Sequence, residues 1–311
     1  MADIELKKIN SPAADSPEAL VLDAEAKYRE KIRAIAEHIV KKDNLRAVLL
    51  AGPSGSGKTT TANLLKDLII SLGEEATVLS LDDFYRDATD PDYPRDRDGE
   101  RDFECPEALN LPELERTLRN ITDGKPFLSP KYDFKIAKRC AEEIHPAMPD
   151  GCVIIEGLHA LNPEISNSLP KDRILKLFVS VSTNITDGGE RIISGRKIRF
   201  VRRLVRDSIY RAADAKRTLS MWNAVLLGED EYLYPYKETA DVAFDTFHAF
   251  ELGVMRNRAL TLLNEYREDN AYADIVREAL RRVREIPEEL VPEDSLLREF
   301  ISGGIYHSIY K

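Results

Sequence analysis

No part of this chain restricts its fold as strongly as the glycine-rich stretch Ala51-Gly-Pro-Ser-Gly-Ser-Gly-Lys-Thr-Thr60. The stretch matches the pattern G-x-x-x-x-G-K-[ST] of a phosphate-binding loop, or P-loop. Its fixed positions are Gly52, Gly57, Lys58 and Thr59. An apolar run, Ala47-Val-Leu-Leu50, precedes it and a helical pattern follows it, which is the strand–loop–helix context of such a loop. The sequence therefore predicts a nucleoside triphosphate site, and a glycine-rich turn with an incidental lysine is a weaker explanation.

Each part of this loop has a physical task in holding phosphate. Glycines adopt positive φ and let the backbone approach a phosphate closely, and successive N–H groups then point into one concavity at the positive end of a helix dipole. Lys58 adds a positive charge for the outer phosphates, and the Thr59 hydroxyl can join the ligand shell of Mg²⁺. The predicted nucleotide contacts are Gly52, Ser54, Gly55, Ser56, Gly57, Lys58, Thr59 and Thr60.

Length and composition narrow the class of protein. The chain has 311 residues, of which 43% are hydrophobic and 32% charged, as in a globular protein of about two domains or one α/β domain with extensions. The net charge of −10 argues against a nucleic-acid partner, which would need a basic surface.

No run approaches membrane-spanning length, and the first residues contain no apolar segment of a secretory signal. Three cysteines, Cys105, Cys140 and Cys152, lack the spacing of a metal site. We therefore expect a cytoplasmic protein with reduced thiols and no membrane partner, and the sequence neither requires nor excludes a homo-oligomer.

Strand and helix patterns alternate along the chain. Apolar runs predict five strands, at 46–51, 77–81, 151–156, 174–181 and 241–245. Helical patterns lie between most of them, which predicts an α/β fold with a mostly parallel sheet and helices on both faces. Ligands on such sheets bind beyond the carboxyl ends of the strands, and the P-loop, Asp82 and Glu156 all fall at such ends.

Asp82 and Glu156 are the acidic residues best placed for chemistry beside the P-loop. Asp82 directly ends the second strand, where a carboxylate can accept a proton from an attacking hydroxyl or hold Mg²⁺, whereas Asp83 suits a helix cap better. Glu156 ends a buried strand, where a carboxylate is costly unless it is paired or faces a cation. A structural ion pair is the alternative for Glu156. The predicted metal ligands are Thr59, Glu156 and Asp82.

The segment 191–217 is strongly basic in an acidic chain. It holds ten basic and two acidic residues, which gives a local charge of +8. One predicted helical face carries Arg199, Arg202, Arg203 and Arg206. A solvated charged face is the ordinary explanation. A face of one sign also suits a lid that closes over a triphosphate and stabilises charge on the transferred phosphoryl group, and we predict such a lid at about 186–217.

The two ends of the chain are predicted to extend the central domain. Residues 1–16 are polar and are expected to be poorly ordered. A helix should run from Pro17 to about Lys42, and further helical patterns cover 248–267 and 271–284. We therefore divide the chain into an N-terminal tail and helix (1–45), a P-loop domain (46–250) and a C-terminal helical extension (251–311).

Several segments form an ordered set of motifs along the P-loop domain. They are Gly52–Thr59, Leu79–Tyr85, Phe103–Ala108, Pro130–Phe134 with Arg139, Ile155–Ala160 and Arg202–Asp207. With this set the chain resembles the uridine kinase and phosphoribulokinase family of P-loop kinases, over roughly residues 46–250. Only the P-loop is strong by itself, but the ordered set is specific. Two later segments, 218–222 and 292–300, are similar to a bacterial-type subgroup of uridine kinases.

The resemblance implies an ATP- and Mg²⁺-dependent kinase that phosphorylates a hydroxyl of a small molecule, with a nucleoside as the leading acceptor. It implies that Asp82 is the general base, and that Lys58, Arg206 and Arg211 stabilise the phosphoryl group. Its implied substrate contacts are Asp82, Glu104, Tyr132 and Arg139. His159 is a further substrate candidate from its position after Glu156-Gly-Leu158, although a structural hydrogen bond explains a histidine there equally well.

Two departures from the family pattern bear on the acceptor and the lid. Ala137 stands where a histidine that reads pyrimidines is expected, and Ala213 stands where a further lid arginine is common. Lys135, Lys138 or His159 could take over the lost contact. Kinases of a sugar phosphate, a polyol or a vitamin precursor therefore remain alternatives to a nucleoside kinase. A P-loop switch protein is a less favoured reading, because the chain has no N-K-x-D guanine signature.

Overall fold

A five-stranded parallel sheet forms the centre of the protein. The computed structural model describes residues 2–96, 99–134, 136–167 and 169–306. Its strands are β1 (Asp3–Glu5), β2 (Ala47–Ala51), β3 (Ala76–Ser80), β4 (Phe127–Asp133), β5 (Lys138–His145), β6 (Cys152–Glu156), β7 (Ile174–Ser180), β8 (Asn184–Asp187), β9 (Glu190–Ile193) and β10 (Val242–Asp245). Its helices are α1 (Lys7–Asp15), α2 (Pro17–Val40), α3 (Lys58–Ser71), α4 (Leu111–Thr122), α5 (Pro163–Ser166), α6 (Gly195–Tyr210), α7 (Ala215–Tyr232), α8 (Glu251–Glu265), α9 (Ala271–Arg282) and α10 (Arg298–Ile301).

The central sheet has the strand order β10-β7-β2-β6-β3, and every neighbouring pair is parallel. All five strands predicted from apolar runs are present. Alternate residues of β2 pack on opposite faces of the sheet: Val48 and Leu50 join one hydrophobic core, and Ala47, Leu49 and Ala51 join another. Burial on both faces is what a near-continuous apolar strand requires, so the prediction of helices on both sides is confirmed.

Two smaller sheets flank this centre. Strands β4 and β5 form an antiparallel hairpin, in a region where the sequence predicts only a loop or an irregular strand. The other small sheet has the order β1-β8-β9 and brings the start of the chain beside the segment before α6. Both sheets lie at the edges of the parallel sheet's functional end, and the hairpin carries Tyr132 and Arg139.

The prediction that residues 1–16 are poorly ordered is wrong. Strand β1 pairs in parallel with β8, and α1 packs Ile9 and Ala13 into the main core. Leu6 is also buried, so three apolar residues at a helical spacing secure this segment. The predicted helix from Pro17 is confirmed and ends at Val40.

The C-terminal helices also belong to the main body. Helices α8 and α9 place Met255, Leu263, Val276 and Leu280 in the same hydrophobic core as α2 and α6. Phe300 and Ile301 of α10 join that core. Within the described residues, no helix has both the length and the apolar composition that a membrane span requires.

Candidate active site

The P-loop has the backbone geometry that phosphate binding needs. It leaves β2 at Ala51 and enters α3 at Lys58. Gly55 and Gly57 have φ of 72° and 83°, a region that suits glycine and lets consecutive N–H groups face the same way. The Lys58 ammonium lies back on the loop and donates to the carbonyl oxygen of Pro53 at 3.3 Å. The predicted nucleotide residues therefore form one continuous loop that leads into the N-terminus of α3.

Two buried arginines of α6, Arg199 and Arg202, bind the P-loop from one side. We call these two arginines and their acidic partners, Glu229 and Glu251, the arginine clamp. Arg199 donates to the carbonyl oxygen of Ser54 at 2.7 Å and forms a bidentate ion pair with Glu229. Glu229 in turn accepts the N–H of Ser54 at 2.8 Å. Arg202 donates to the carbonyl oxygen of Gly55 at 3.1 Å and pairs with Glu251.

This clamp changes the interpretation of the predicted arginine face. Arg199 and Arg202 are fully buried, and Arg203 is 7% exposed. Their partners Glu229 and Glu251 come from α7 and α8, so the face is not of one sign once the chain is folded. Arg199 and Arg202 are committed to the P-loop backbone and cannot close over a nucleotide as a lid would.

Arg206 and Arg211 lie at the end of α6, on the side nearer to Asp82. Both surround the buried carboxylate of Asp207, at 2.9 Å from Arg206 and 3.6 Å from Arg211. Three nearby arginines hold the pKa of Asp207 below its usual range despite its burial. Burial, together with the positive charge of Arg206, lowers the pKa of Arg211 to about 10. Both side chains also act on Asp82, whose carboxylate their charges stabilise.

The charges of Asp82 and Lys58 both act on the carboxylate of Glu156. Loss of surrounding water raises the pKa of Asp82, Lys58 opposes that rise and Asp83 adds to it. Asp82 is exposed at the surface, whereas Glu156 is buried. Burial, and next the charge of Asp82, raise the pKa of Glu156 to about 7. Two acids whose ionisation is unfavourable in each other's presence are typical of a site that receives a cation.

The oxygens around Glu156 suit Mg²⁺. Glu156 Oε1 lies 3.4 Å from Thr59 Oγ1 and accepts a hydrogen bond from Ser80 at 2.9 Å. A hydroxyl and carboxylates are the ligand types that Mg²⁺ takes, usually with several waters and phosphate oxygens. The described residues contain no cluster of three or more histidine, cysteine or acidic side chains placed to hold a metal. Protein ligands alone would therefore supply only part of such a shell.

Tyr85, Tyr132 and Phe134 pack against one another close to Asp82, and we call them the aromatic wall. Tyr85, which follows Asp82 and Asp83, contacts Tyr132 and Phe134 of the hairpin at ring-centroid distances of 5.6 and 5.7 Å. Tyr132 and Phe134 are 4.9 Å apart. Phe134 remains 55% exposed, so the wall still presents an aromatic surface. Such a surface suits a planar apolar group.

Glu104 and His159 lie behind this wall. Gly228 of α7 packs so tightly on Glu104 that a Cβ there would lie 2.6 Å from Glu104 Cβ. Burial raises the pKa of Glu104 to about 7, and Arg203 opposes the rise. Burial lowers the pKa of His159 to about 4, and a hydrogen bond with the backbone of Glu104 opposes the shift.

The remaining predicted contacts lie further from the carboxylates. Arg139 forms a bidentate ion pair with Glu113 of α4 at 2.9 and 2.8 Å, and its N–H binds Asp87. Ala137 has φ of 53° at the turn of the hairpin, and its carbonyl oxygen accepts the N–H of Ala88. Lys138 is exposed, and Lys135 lies outside the described residues.

Several residues that contact the P-loop have no signal in the sequence. Glu229 and Glu251 hold the arginine clamp, and Glu299 accepts hydrogen bonds from Thr60. Each is an ordinary acidic residue in a helical pattern. Only the excess of arginine in α6 hints that acidic partners must exist elsewhere in the chain.

The geometry agrees with a comparison against known families. The model of the "Phosphoribulokinase / Uridine kinase family" matches residues 48–252. The chain belongs to this family. The match covers the parallel sheet, the hairpin and helices α3–α7, and leaves residues 1–47 and 253–311 outside it. Membership makes the protein an ATP-dependent small-molecule kinase, as the sequence predicts.

Several uridine kinases are similar to this family member. The uridine kinase of Lactobacillus helveticus (strain DPC 4571) is 29% identical over 195 residues, which cover 62% of this chain and 82% of that protein. The uridine kinase of Halobacterium salinarum is 26% identical over 197 residues, 63% of this chain and 78% of that protein. A solved structure described as a possible uridine kinase from Bacillus stearothermophilus is 20% identical, covers 70% of this chain and 100% of that chain, and has a TM-score of 0.48. A structural similarity of that size carries no argument about substrate or mechanism.

Proposed function

We propose that this kinase transfers the γ-phosphoryl group of ATP to a hydroxyl of a nucleoside. The observation that carries the proposal is the position of Asp82. It lies at the carboxyl end of the parallel sheet, under the influence of Lys58 on the P-loop side and next to the aromatic wall of Tyr85, Tyr132 and Phe134 on the other. A carboxylate between a phosphate site and a surface for a planar group is well placed to act on an acceptor held there.

The P-loop binds the triphosphate in this proposal. The backbone N–H groups from Gly55 to Thr60 face the phosphates, and Lys58 reaches the outer oxygens by leaving the carbonyl of Pro53. The arginine clamp fixes the loop beforehand, because Ser54 is held through both its N–H and its carbonyl oxygen. A rigid loop loses little conformational freedom on binding and keeps its donors oriented.

Mg²⁺ would be held by Thr59, Glu156 and Asp82, together with phosphate oxygens and water. When bound, the ion neutralises charge on the β- and γ-phosphates. Glu156 and Asp82 would then ionise fully, because a divalent cation reverses the repulsion that raises their pKa values.

Asp82 acts as the general base. It accepts the proton of the attacking hydroxyl while the phosphoryl group moves in line from ATP to the acceptor oxygen. Arg206 and Arg211 stabilise the negative charge of the transferring group, since they already lie close enough to stabilise ionised Asp82.

The acceptor side supports a nucleoside. The aromatic wall offers a stacking surface for a base, and Glu104 is the partly buried acid that would accept hydrogen bonds from ribose hydroxyls. His159 is buried beside the backbone of Glu104, and we assign it a polar contact with the substrate. Tyr132 has a buried hydroxyl, unpaired among the described residues, and Arg139 is assigned an indirect role through the hairpin.

Base selectivity is the distinctive part of this proposal. A histidine at position 137 would offer a hydrogen bond to a pyrimidine, and Ala137 cannot. A pocket that makes no such bond does not reject bases that lack the matching group. We therefore propose weak discrimination between bases. The names of the similar uridine kinases favour a nucleoside over a sugar phosphate, a polyol or a vitamin precursor.

An acceptor panel tests the function directly. ADP formation from Mg²⁺-ATP is measured alone and with uridine, cytidine, a purine nucleoside and a non-nucleoside polyol. A nucleoside should stimulate ADP formation and appear as its monophosphate, while the polyol should have no effect. Stimulation by the polyol alone would contradict a nucleoside kinase. ATP turnover that no acceptor changes would contradict a small-molecule kinase of this kind.

A further inference from the structure

The segment Pro292–Ile301, which we name the C-terminal segment, covers one side of the P-loop. Leu296 is fully buried against Gly57, so closely that a Cβ on Gly57 would lie 2.4 Å from Leu296 Cδ1. Phe300 packs its ring 5.1 Å from the guanidinium carbon of Arg202. The segment lies beyond the residues that the family model matches, although 292–300 is one of the two segments that resemble the bacterial-type subgroup.

Glu299 of this segment binds a donor of the P-loop helix. Its Oε2 accepts hydrogen bonds from Thr60 N at 3.2 Å and from Thr60 Oγ1 at 2.8 Å. Thr60 is in the first turn of α3, where backbone N–H groups have no partner within the helix. In a P-loop these groups receive the α- and β-phosphates. A carboxylate of the protein therefore occupies a position that belongs to the nucleotide.

The cover over the P-loop is uneven. Gly57 and Thr60, which touch the C-terminal segment, are both buried, whereas Lys58 and Thr59 remain partly exposed. The side of the loop that meets the outer phosphates is therefore open, and the side that meets the inner phosphates is closed by Leu296 and Glu299. Simple capping of α3 by Glu299 would explain one hydrogen bond. It would not explain why an apolar side chain also closes the adjacent glycine.

We propose that the C-terminal segment is an autoinhibitory contact, in which Glu299 competes with a nucleotide phosphate for Thr60. A phosphate and a carboxylate cannot share this N–H, because both are anionic and each needs the same donor. ATP must therefore displace Glu299 before it is fully seated, and its apparent affinity is lowered by the fraction of molecules in which Glu299 remains bound. This inference depends on the proposal that the P-loop holds the nucleotide.

Contacts on both sides limit how far the segment can move. Before Glu299, Asp294 pairs with Arg29 of α2. After it, Tyr306 donates to Asp67 of α3 at 2.7 Å. Displacement of Glu299 should therefore loosen the stretch between these contacts and leave the rest of the fold docked.

The test compares Glu299→Gln with Glu293→Gln. Both changes remove one negative charge from the C-terminal segment, but Glu293 is exposed and makes no contact with Thr60. Calorimetry measures Kd for ADP and for adenosine. Glu299→Gln should bind ADP about tenfold more tightly than the wild type and bind adenosine equally well, because only ADP carries phosphate. Glu293→Gln should match the wild type for both.

Other results separate this inference from the proposed function. Unchanged or weaker ADP binding by a folded Glu299→Gln would overturn the inference alone, and so would an equal gain for adenosine. Failure of the wild type and every variant to bind ADP would overturn the nucleotide site itself. Hydrogen exchange on the wild type provides a test without substitution. Saturating ADP should increase exchange at amides 296–302, and protection or no change there would contradict displacement of Glu299.

Discussion

Arg199 and Glu229 form a fully buried, bidentate ion pair that grips Ser54 of the P-loop from two sides. Both ion-pair hydrogen bonds are 2.7 Å long, and both side chains are 0% exposed. Arg199 donates a hydrogen bond to the carbonyl oxygen of Ser54, and Glu229 accepts one from the N–H of Ser54. The pair thus links α6 and α7 to the nucleotide loop, and its main effect is on the structure of that loop rather than on the reacting groups.

Removal of one partner should destabilise the fold strongly. Arg199→Met leaves Glu229 buried without a counter-charge, so we expect the free energy of unfolding in urea to fall by about 3–5 kcal/mol. The matched control is Arg196→Met on the same helix. Arg196 pairs with Asp230, and both side chains are at least 42% exposed, so its loss should cost less than about 1 kcal/mol. Similar losses for the two variants would show that burial does not set the strength of the clamp.

Arg206 should affect turnover more strongly than it affects folding. Arg206→Ala removes a positive charge near Asp82, and we expect kcat to fall by about 10²-fold, as for loss of one donor to a developing charge. The control is Arg217→Ala, an exposed arginine at the start of α7. Arg206→Ala should also lower the melting temperature, because the buried carboxylate of Asp207 loses one of its arginine partners, whereas Arg217→Ala should stay close to the wild type. Full activity in a destabilised Arg206→Ala would instead make Arg206 a structural residue.

Glu156 gives a prediction about pH. Its pKa is about 7 in the folded protein, against 4.5 for an ordinary glutamate, so the folded state prefers the neutral form. Without Mg²⁺, Glu156 therefore reduces stability increasingly as pH rises from 4.5 to about 7, and the cost is complete above that range. Glu156→Gln should raise stability at pH 8 by roughly 2–4 kcal/mol and change it little at pH 4.5.

Activity should change with pH in the opposite direction to stability, because it requires ionised Glu156. At limiting Mg²⁺, turnover of the wild type should decline as pH falls below about 7, because protonated Glu156 is a poor ligand for Mg²⁺, and saturating Mg²⁺ should move the decline to lower pH. Glu156→Gln should lose most of its activity at every pH. A variant that keeps full Mg²⁺-dependent turnover would remove Glu156 from the metal shell, and equal stability changes at pH 4.5 and pH 8 would contradict the raised pKa.

The sequence predicted the centre of this molecule well because its signals are local. Buried parallel strands such as Ala47–Ala51 and Cys152–Glu156 are continuous apolar runs, and the P-loop is a contiguous motif. The ion-pair partners of the α6 arginines, in contrast, are distant from them in the sequence. Arg199 finds its partner 30 residues away, and Arg202 finds its partner 49 residues away. Helical periodicity places these side chains on one face, but only tertiary packing shows that α7 and α8 bring acids to that face.

The candidate site shows the same difference between local signals, which the sequence reveals, and long-range contacts, which it does not. Asp82 and Glu156 were predictable from their places at strand ends, because parallel strands bring those ends together. The contact of Glu299 with Thr60 spans 239 residues, and neither the P-loop motif nor the resemblance of 292–300 indicates that the two segments meet. The N-terminal tail was missed for a related reason. Its short β1 strand is stabilised by pairing with β8, which composition cannot reveal.

Ala137 tests what controls the choice of base. The wild type should discriminate weakly among uridine, cytidine and a purine nucleoside, since its pocket lacks the histidine. Ala137→His should raise kcat/KM for pyrimidines relative to purines by about tenfold or more, provided that position 137 lines the pocket. Because Ala137 has φ of 53°, Ala137→Asn serves as a control that accepts this backbone. A strong pyrimidine preference in the wild type would show that another residue reads the base.

The most direct test is turnover by Asp82→Asn, which keeps the shape of the side chain and removes its basicity. Formation of nucleoside monophosphate from Mg²⁺-ATP is followed beside Kd for ADP, with Asp83→Asn as the neighbouring control, since Asp83 is paired with Lys131. We predict that kcat of Asp82→Asn falls by about 10²-fold or more while ADP binding and the melting temperature are preserved. Near-normal turnover in a folded Asp82→Asn protein would contradict the assignment of Asp82 as the base and, with it, the proposed site of transfer.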